Sequence, residues 1–221
     1  MKPQIKLATT QTPDGGKMEL FQHDHDFVIW INGYELMNSR QHESEQALAR
    51  LGCAHLSGVK TPCVLVGGLG MGYTLRQALD MLGPDARVVV SELLSDVVDW
   101  NQKYMGELNG HPLEDKRTEV ISGDIFELVA QSNERFDAIL LDVDNGPQAM
   151  TDAGNQRLYS TAGIMACRRA LRKQGCLAVW STKPNKTFER LLTGCGLKVR
   201  RYKVNAYPGN HSKSFFIWVA A

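Results

Sequence analysis

Cys63-Val64-Leu65-Val66-Gly67-Gly68-Leu69-Gly70-Met71-Gly72, followed by Tyr73-Thr74-Leu75-Arg76-Gln77-Ala78-Leu79, is the most informative passage in this chain of 221 residues. A short run of β-branched and apolar residues predicts a buried parallel strand. Four glycines then turn the chain, and an amphipathic pattern begins at Tyr73. Glycine serves where the backbone must take positive φ or let a ligand come close. A helix that starts after such a turn presents free N–H groups and the positive end of its dipole. Strand, glycine turn and helix together predict a nucleotide-binding α/β domain. The spacing Gly68-Leu69-Gly70-Met71-Gly72 is not the dinucleotide fingerprint, which has two residues between its last glycines. There is no Gly-Lys-Ser/Thr, which excludes a P-loop.

On either side of this passage strands alternate with helices. Strands are expected at 62–67, 86–91, 118–122, 136–142, 175–181, 196–203 and 213–219, and helices at 73–82, 94–105, 125–131, 154–173 and 186–194. Alternation at this pitch gives a parallel sheet covered on both faces. The last two strands are joined by Ala206-Tyr207-Pro208-Gly209-Asn210, too short for a helix, so they must pair antiparallel. The expected fold is therefore a doubly wound seven-stranded α/β sheet of the S-adenosylmethionine-dependent methyltransferase (Rossmann-like) type, over residues 39–221. Residues 1–38 read as a small N-terminal β meander. Its turns are Pro13-Asp14-Gly15-Gly16, His23-Asp24-His25-Asp26 and Asn32-Gly33. The His-Asp alternation at the second turn is taken as a solvated turn, and no metal site is expected. Ser39 is expected to cap a helix running to about Leu51, with Glu43 and Glu45 near its positive end.

Ligands of open α/β sheets sit beyond the carboxyl ends of the strands. The second strand of the series ends in Glu92, roughly twenty residues past the last glycine, where an acid that grips ribose hydroxyls belongs. A carboxylate there repels a 2′-phosphate, so a nucleoside without phosphates fits better than NADP. The third strand ends in Gly123-Asp124, and Asp124 could both cap a helix and accept a bond from an adenine amine. The fourth ends in Asp142-Val143-Asp144-Asn145-Gly146-Pro147. Two carboxylates there suit holding a cation or taking a proton from an amine, since desolvated charges need partners. Glu92, Asp124 and Asp142 over one glycine turn point to an adenosine nucleoside carrying a positively charged sulfur. S-adenosylmethionine or its decarboxylated form fits as co-substrate.

Composition narrows the class. Apolar residues make up 43% and charged residues 22%, ordinary values for a globular protein. The first residues, Met-Lys-Pro-Gln-Ile-Lys, lack the apolar core of a signal peptide. No apolar run reaches the ~20 residues of a membrane helix. The five cysteines form no C-x-x-C pair and read as reduced core thiols, so a cytoplasmic location and no membrane partner are expected. From Arg168 onward there are twelve Lys/Arg against one acid, a formal +11, against −10 for the preceding part. The plainest account is solvated faces; a nucleic-acid partner is possible on charge alone but lacks an aromatic-rich basic stripe.

These residues resemble the spermidine synthase family of polyamine aminopropyltransferases. The resemblance rests on Val64–Gly72, Val88-Val89-Val90-Ser91-Glu92-Leu93, Ile121-Ser122-Gly123-Asp124, Phe136–Asp142, Leu158-Tyr159, Arg168–Gly175 and Tyr207-Pro208-Gly209. It implies a transferase of polyamine biosynthesis, with a small-molecule amine as acceptor and a homodimer as assembly. By the resemblance Gly67, Gly68, Gly70 and Gly72 pass the methionine-like tail and Glu92 holds the ribose. Asp124 takes the adenine amine, Gln41 joins the cofactor-binding residues, and Asp142 with Asp144 forms the catalytic loop. The chain departs from the family at several positions. Leu69 and Met71 interrupt the glycine loop, Asp142 and Asp144 are two apart rather than three, and Gln41-His42 stand where the family has acids. Glu45 and Gln46 stand where it has a tyrosine and a histidine. A methyltransferase using S-adenosylmethionine itself is the alternative on the same fold.

Overall fold

The computed structural model describes residues 3–143, 153–207 and 209–221. It opens with a four-stranded antiparallel meander, β1 (Ile5–Gln11), β2 (Lys17–His23), β3 (Asp26–Ile31) and β4 (Tyr34–Asn38), paired in chain order. Asn32 and Gly33 both take positive φ, +50° and +82°, the hairpin geometry that the Asn-Gly pair predicts. One face of the meander, with Leu20 and Ile29 almost wholly buried, packs into the same core as Val64, Val66 and Leu75. Burying such a side chain stabilises by about 1.5–3 kcal/mol, enough to fix the meander over the rim of the larger sheet.

The larger sheet contains β5 (Cys63–Gly67), β6 (Arg87–Glu92), β7 (Thr118–Ser122), β8 (Phe136–Leu141), β9 (Leu171–Ser181), β10 (Val199–Tyr207) and β11 (Asn210–Ala220). Their order is β10-β11-β9-β8-β5-β6-β7, with β11 antiparallel to both neighbours. This is the expected doubly wound seven-stranded sheet. The winding direction reverses at β5, between β6 and β8, which puts the switch point of the sheet beneath the glycine turn. The helices are α1 (Glu43–Gly52), α2 (Tyr73–Met81), α3 (Ser95–Trp100), α4 (Ile125–Ala130), α5 (Ala153–Leu158), α6 (Thr161–Ala170) and α7 (Lys186–Gly194).

Three expectations are corrected. Ser39 does not cap α1, which begins at Glu43 without a side-chain cap. The Ser39 hydroxyl instead accepts from the Phe27 N–H at 2.9 Å, closing the meander. The helix expected over 154–173 is two helices, because the Ser160 side chain accepts from Gly163 N–H and starts α6 afresh. Residues 171–173 already belong to β9, Leu171 pairing with Phe136 of β8. Last, the helix expected over 94–105 is a short α3 followed by a wider π-turn, Asn101–Met105. All five cysteines are free and buried, as expected. Among the described residues no helix is long and apolar enough to cross a membrane.

Candidate active site

Parallel register brings the glycine turn and the acids together. Gly67 lies level with Leu141 on one side and Ser91 on the other. Asp142 N–H donates to Gly67 O, Gly68 N–H to Ser91 O and Gly123 N–H to Glu92 O. The four strand ends are thus laced by backbone bonds before any side chain acts. Gly68 has φ +85°, and a Cβ there would lie 2.4 Å from Asp142 O. At Gly67 a Cβ would meet Ile125 Cδ1 at 2.1 Å. Only glycine allows this approach of the first loop to the fourth.

The turn is pinned from the far side as well. Asn101, at the start of the π-turn, donates to Gly70 O at 2.8 Å, and Asn109 donates to Met71 O at 2.7 Å. A π-turn re-aims a side chain that a regular helix would point elsewhere. Spacing gave no sign of either asparagine, because their targets are backbone carbonyls 31 and 38 residues away.

A cavity of about 160 Å³ opens beyond these strand ends. Gly68, Gly70, Glu92, Gly123, Asp124 and Asp142 line it, with Met18, Ile29 and Ile31 of the meander forming an apolar wall. Glu92 is buried, and its two oxygens accept from Leu69 N–H and Leu94 N–H, each at 2.9 Å. Burial pushes this carboxyl above its ordinary range, while the backbone N–H groups pull it back. Each oxygen keeps a lone pair for a ligand hydroxyl. Asp124 caps α4 through Phe126 N–H at 2.7 Å, and its other oxygen accepts from Arg157 at 2.7 Å. Arg157 also covers the Phe126 ring, which braces the first turn of α4 at the cavity edge.

A second cavity, of about 400 Å³, shares Leu36, Met37, Gly70 and Asp142 with the first. Its other walls include Glu35, Gln41, Glu45, Tyr73, Trp180, Lys213 and Phe215. Asp142 therefore stands at the junction. Its Oδ2 accepts from Thr74 Oγ1 at 2.6 Å, a residue in the first turn of α2. Burial lifts the Asp142 carboxyl to about 6, with the Thr74 hydroxyl acting in the opposite direction. Burial and then the Asp142 charge lift Glu45 to about 8. Two carboxyls that feel each other's charge cannot both ionise easily, so near neutral pH the pair tends to hold one proton between them.

Gln41 lies in the second cavity, not the first, and its Oε1 accepts from Lys213 at 2.7 Å. Its loop is anchored by Tyr73, whose hydroxyl donates to Ser39 O and whose ring stacks on His42. Gly72, with φ +83°, precedes α2, and a Cβ there would crowd Asn109 and Asn101. Asp144 falls outside the described residues. Trp180, whose place near the end of the fifth strand left open in the sequence whether it lines the pocket or packs under it, is in the cavity wall. Glu35 and Lys213 had no sequence signal, since each reaches the cavity from a different part of the chain. Among the described residues no group of acids, histidines and cysteines is arranged to hold a metal ion.

An α/β sheet of the methyltransferase type, with its cavity at the switch point and a second cavity joined through one carboxylate, defines the class. A model of the spermine/spermidine synthase domain matches residues 46–195, and the chain belongs to this family. It is 29% identical over 139 residues to a polyamine aminopropyltransferase of Saccharolobus solfataricus, covering 62% of this chain and 45% of that protein. A polyamine aminopropyltransferase of Korarchaeum cryptofilum is 30% identical over 146 residues, covering 64% and 43%. The chain thus spans less than half the length of these curated relatives. In fold it is similar to a spermidine synthase crystallised with the transition-state analogue AdoDATO, at a TM-score of 0.75 and 19% identity. That match covers 97% of this chain and 71% of the other. The spermidine synthase of Thermotoga maritima matches to the same extent, with a TM-score of 0.75.

Proposed function

We propose that this protein is a transferase that moves an aminopropyl group from decarboxylated S-adenosylmethionine to an amine. The observation that carries this is Asp142 at the junction of two cavities. The first would take the adenosine, with Glu92 accepting from the ribose hydroxyls and Asp124 from the adenine amine. The second would take the acceptor. A primary amine is protonated at neutral pH and must lose its proton before its lone pair can attack. Asp142, ionised and partly shielded from water, takes that proton. The amine nitrogen then bonds to the carbon next to the sulfonium. The carbon–sulfur bond breaks, its electron pair stays on sulfur, and methylthioadenosine leaves as a neutral thioether. Both partners are cations until the amine is deprotonated, so holding them in line over one carboxylate supplies much of the rate.

The test is Asp142→Asn. Turnover, read as methylthioadenosine release, should fall about 10²–10⁴-fold, the contribution of a positioned base. Calorimetric affinity for methylthioadenosine should stay within a few-fold. Unchanged turnover would remove Asp142 from the chemistry. In a second arm, tighter binding of S-adenosylmethionine than of its decarboxylated form would favour methyl transfer instead.

A further inference from the structure

The second cavity holds a positive charge that the proposed reaction does not use. Lys213 stands exposed at its mouth. Its hydrogen-bond partner among the described residues is the neutral Gln41 amide, and its ammonium lies 5.1 Å from the centre of the Phe215 ring. Neither partner neutralises it, so the charge is available to a ligand. Among the described residues, three carboxyls share the cavity. Asp142 is committed to the reacting end. Glu45 feels the Lys213 charge, but burial and the nearness of Asp142 raise its carboxyl and disfavour a second negative charge beside Asp142. Glu35, at the end of the meander, is exposed rather than deep, and its neutral partner, Asn38 Nδ2 at 2.5 Å, leaves its charge in place. A ligand with two ammonium groups would set its second one beside a resident ammonium, with no further buried carboxylate among the described residues to receive it. A ligand with one amine and one carboxylate would meet the opposite charge at each end. Trp180, in the wall, adds a buried indole N–H with no acceptor among the described residues. It is a further donor on the side of a ligand's acceptor group.

We propose that the second cavity selects an amine whose far end carries a carboxylate, Asp142 meeting the amino group and Lys213 the carboxylate. This rests on the aminopropyl-transfer assignment for the role of Asp142, whereas the preference itself is a property of binding and is measured without turnover. Calorimetry on the protein saturated with methylthioadenosine compares 4-aminobutanoate with 1,4-diaminobutane, which have equal chain lengths. The expected result is about tenfold tighter binding of the amino acid, the scale of one partly screened ion pair. Lys213→Met should bring the two near parity, and Lys213→Glu should reverse the order. Equal or tighter binding of the diamine by the unaltered protein overturns the proposal, as does a failure of both ligands to bind. A Lys213→Met protein that keeps the preference, or that loses affinity for intact S-adenosylmethionine instead, also overturns it. A separate turnover assay tells the two claims apart. Aminopropyl transfer to the diamine with tight diamine binding keeps the reaction and removes the selectivity. Tight amino-acid binding without any transfer keeps the selectivity and removes the reaction.

Discussion

The two cavities that meet at Asp142 are built by different means. The first is made where parallel strands end, and its shape follows from sheet register. Gly67, Ser91 and Leu141 are level, Glu92 accepts backbone N–H groups from the glycine turn and from its own loop, and Asp124 accepts one from its own. The second is assembled from side chains of the meander, α1, α2, β9 and β11, held by few mutual bonds. A site made by backbone pairing tolerates little change, because altering one residue moves several loops. A site made of projecting side chains can change its ligand without disturbing the fold. The resemblance read in the sequence rests on Gly67, Glu92 and Asp124 at the strand ends, whereas the departures noted there include Gln41 and Glu45, which line the second cavity.

Gly68→Val tests the backbone-built half and should have the largest effect. It forces a β-branched residue to φ +85° and drives its Cβ toward Asp142 O, 2.4 Å away. A stability loss of roughly 2–4 kcal/mol is expected from strain and overpacking together. Methylthioadenosine affinity should drop more than about 100-fold by calorimetry, the equivalent of roughly 3 kcal/mol. Because Asp142 is displaced too, ligands of the second cavity should also be lost. Retained binding of either ligand would mean that the lacing of loops does not shape the site.

Glu92→Gln should act on one cavity only. An amide carbonyl can serve one of the two N–H groups of Leu69 and Leu94, but its NH₂ opposes the other. Leaving a buried donor without an acceptor costs about 1–3 kcal/mol, so nucleoside affinity should fall roughly 10–100-fold. Amine binding to the second cavity, measured without nucleoside, should not change. A parallel loss in both would show that the cavities are one unit.

The same division explains what the sequence made readable. Strand ends are legible because a β-branched run marks the strand and a glycine or acid marks where it stops, as at Gly67, Glu92 and Asp142. Parallel pairing then brings them level without further information. Ser39 misled, because its hydroxyl had two uses, and closing the meander against Phe27 prevailed over capping α1. Leu171 misled for a related reason: helical periodicity through Ala170 does not reveal that Phe136 is waiting to pair with the next residue. Lys213 and Gln41 are 172 residues apart, and nothing local to either predicts their 2.7 Å contact.

At the junction, Thr74→Val removes the hydroxyl that holds Asp142 in its charged form. The Asp142 carboxyl, already near 6, should rise further. A base works only when unprotonated, so the acid limb of the pH–rate profile should move to higher pH. A shift of about one unit would cost roughly fivefold in rate at pH 6 and little at pH 8. A limb that stays in place would assign that titration to another group.

The smallest expected effect concerns stability rather than rate, and it centres on Glu45. Its folded-state carboxyl is raised from 4.5 to about 8, so the folded protein holds a proton that the unfolded chain gives up. The stabilisation is complete below the unfolded value, declines as pH climbs from there, and is gone above about 8. Glu45→Gln has no such proton to lose. The thermal midpoint of the variant minus that of the unaltered protein should therefore grow between pH 5 and pH 8, on the order of a few degrees. Because Asp142 is coupled to Glu45, the difference reports the titration of the pair rather than of Glu45 alone. A difference that stays flat across this range would mean that Glu45 is ionised beside Asp142 at neutral pH. The second cavity would then carry the extra deep charge that a diamine needs, and the case for an amino-acid ligand at Lys213 would weaken with it.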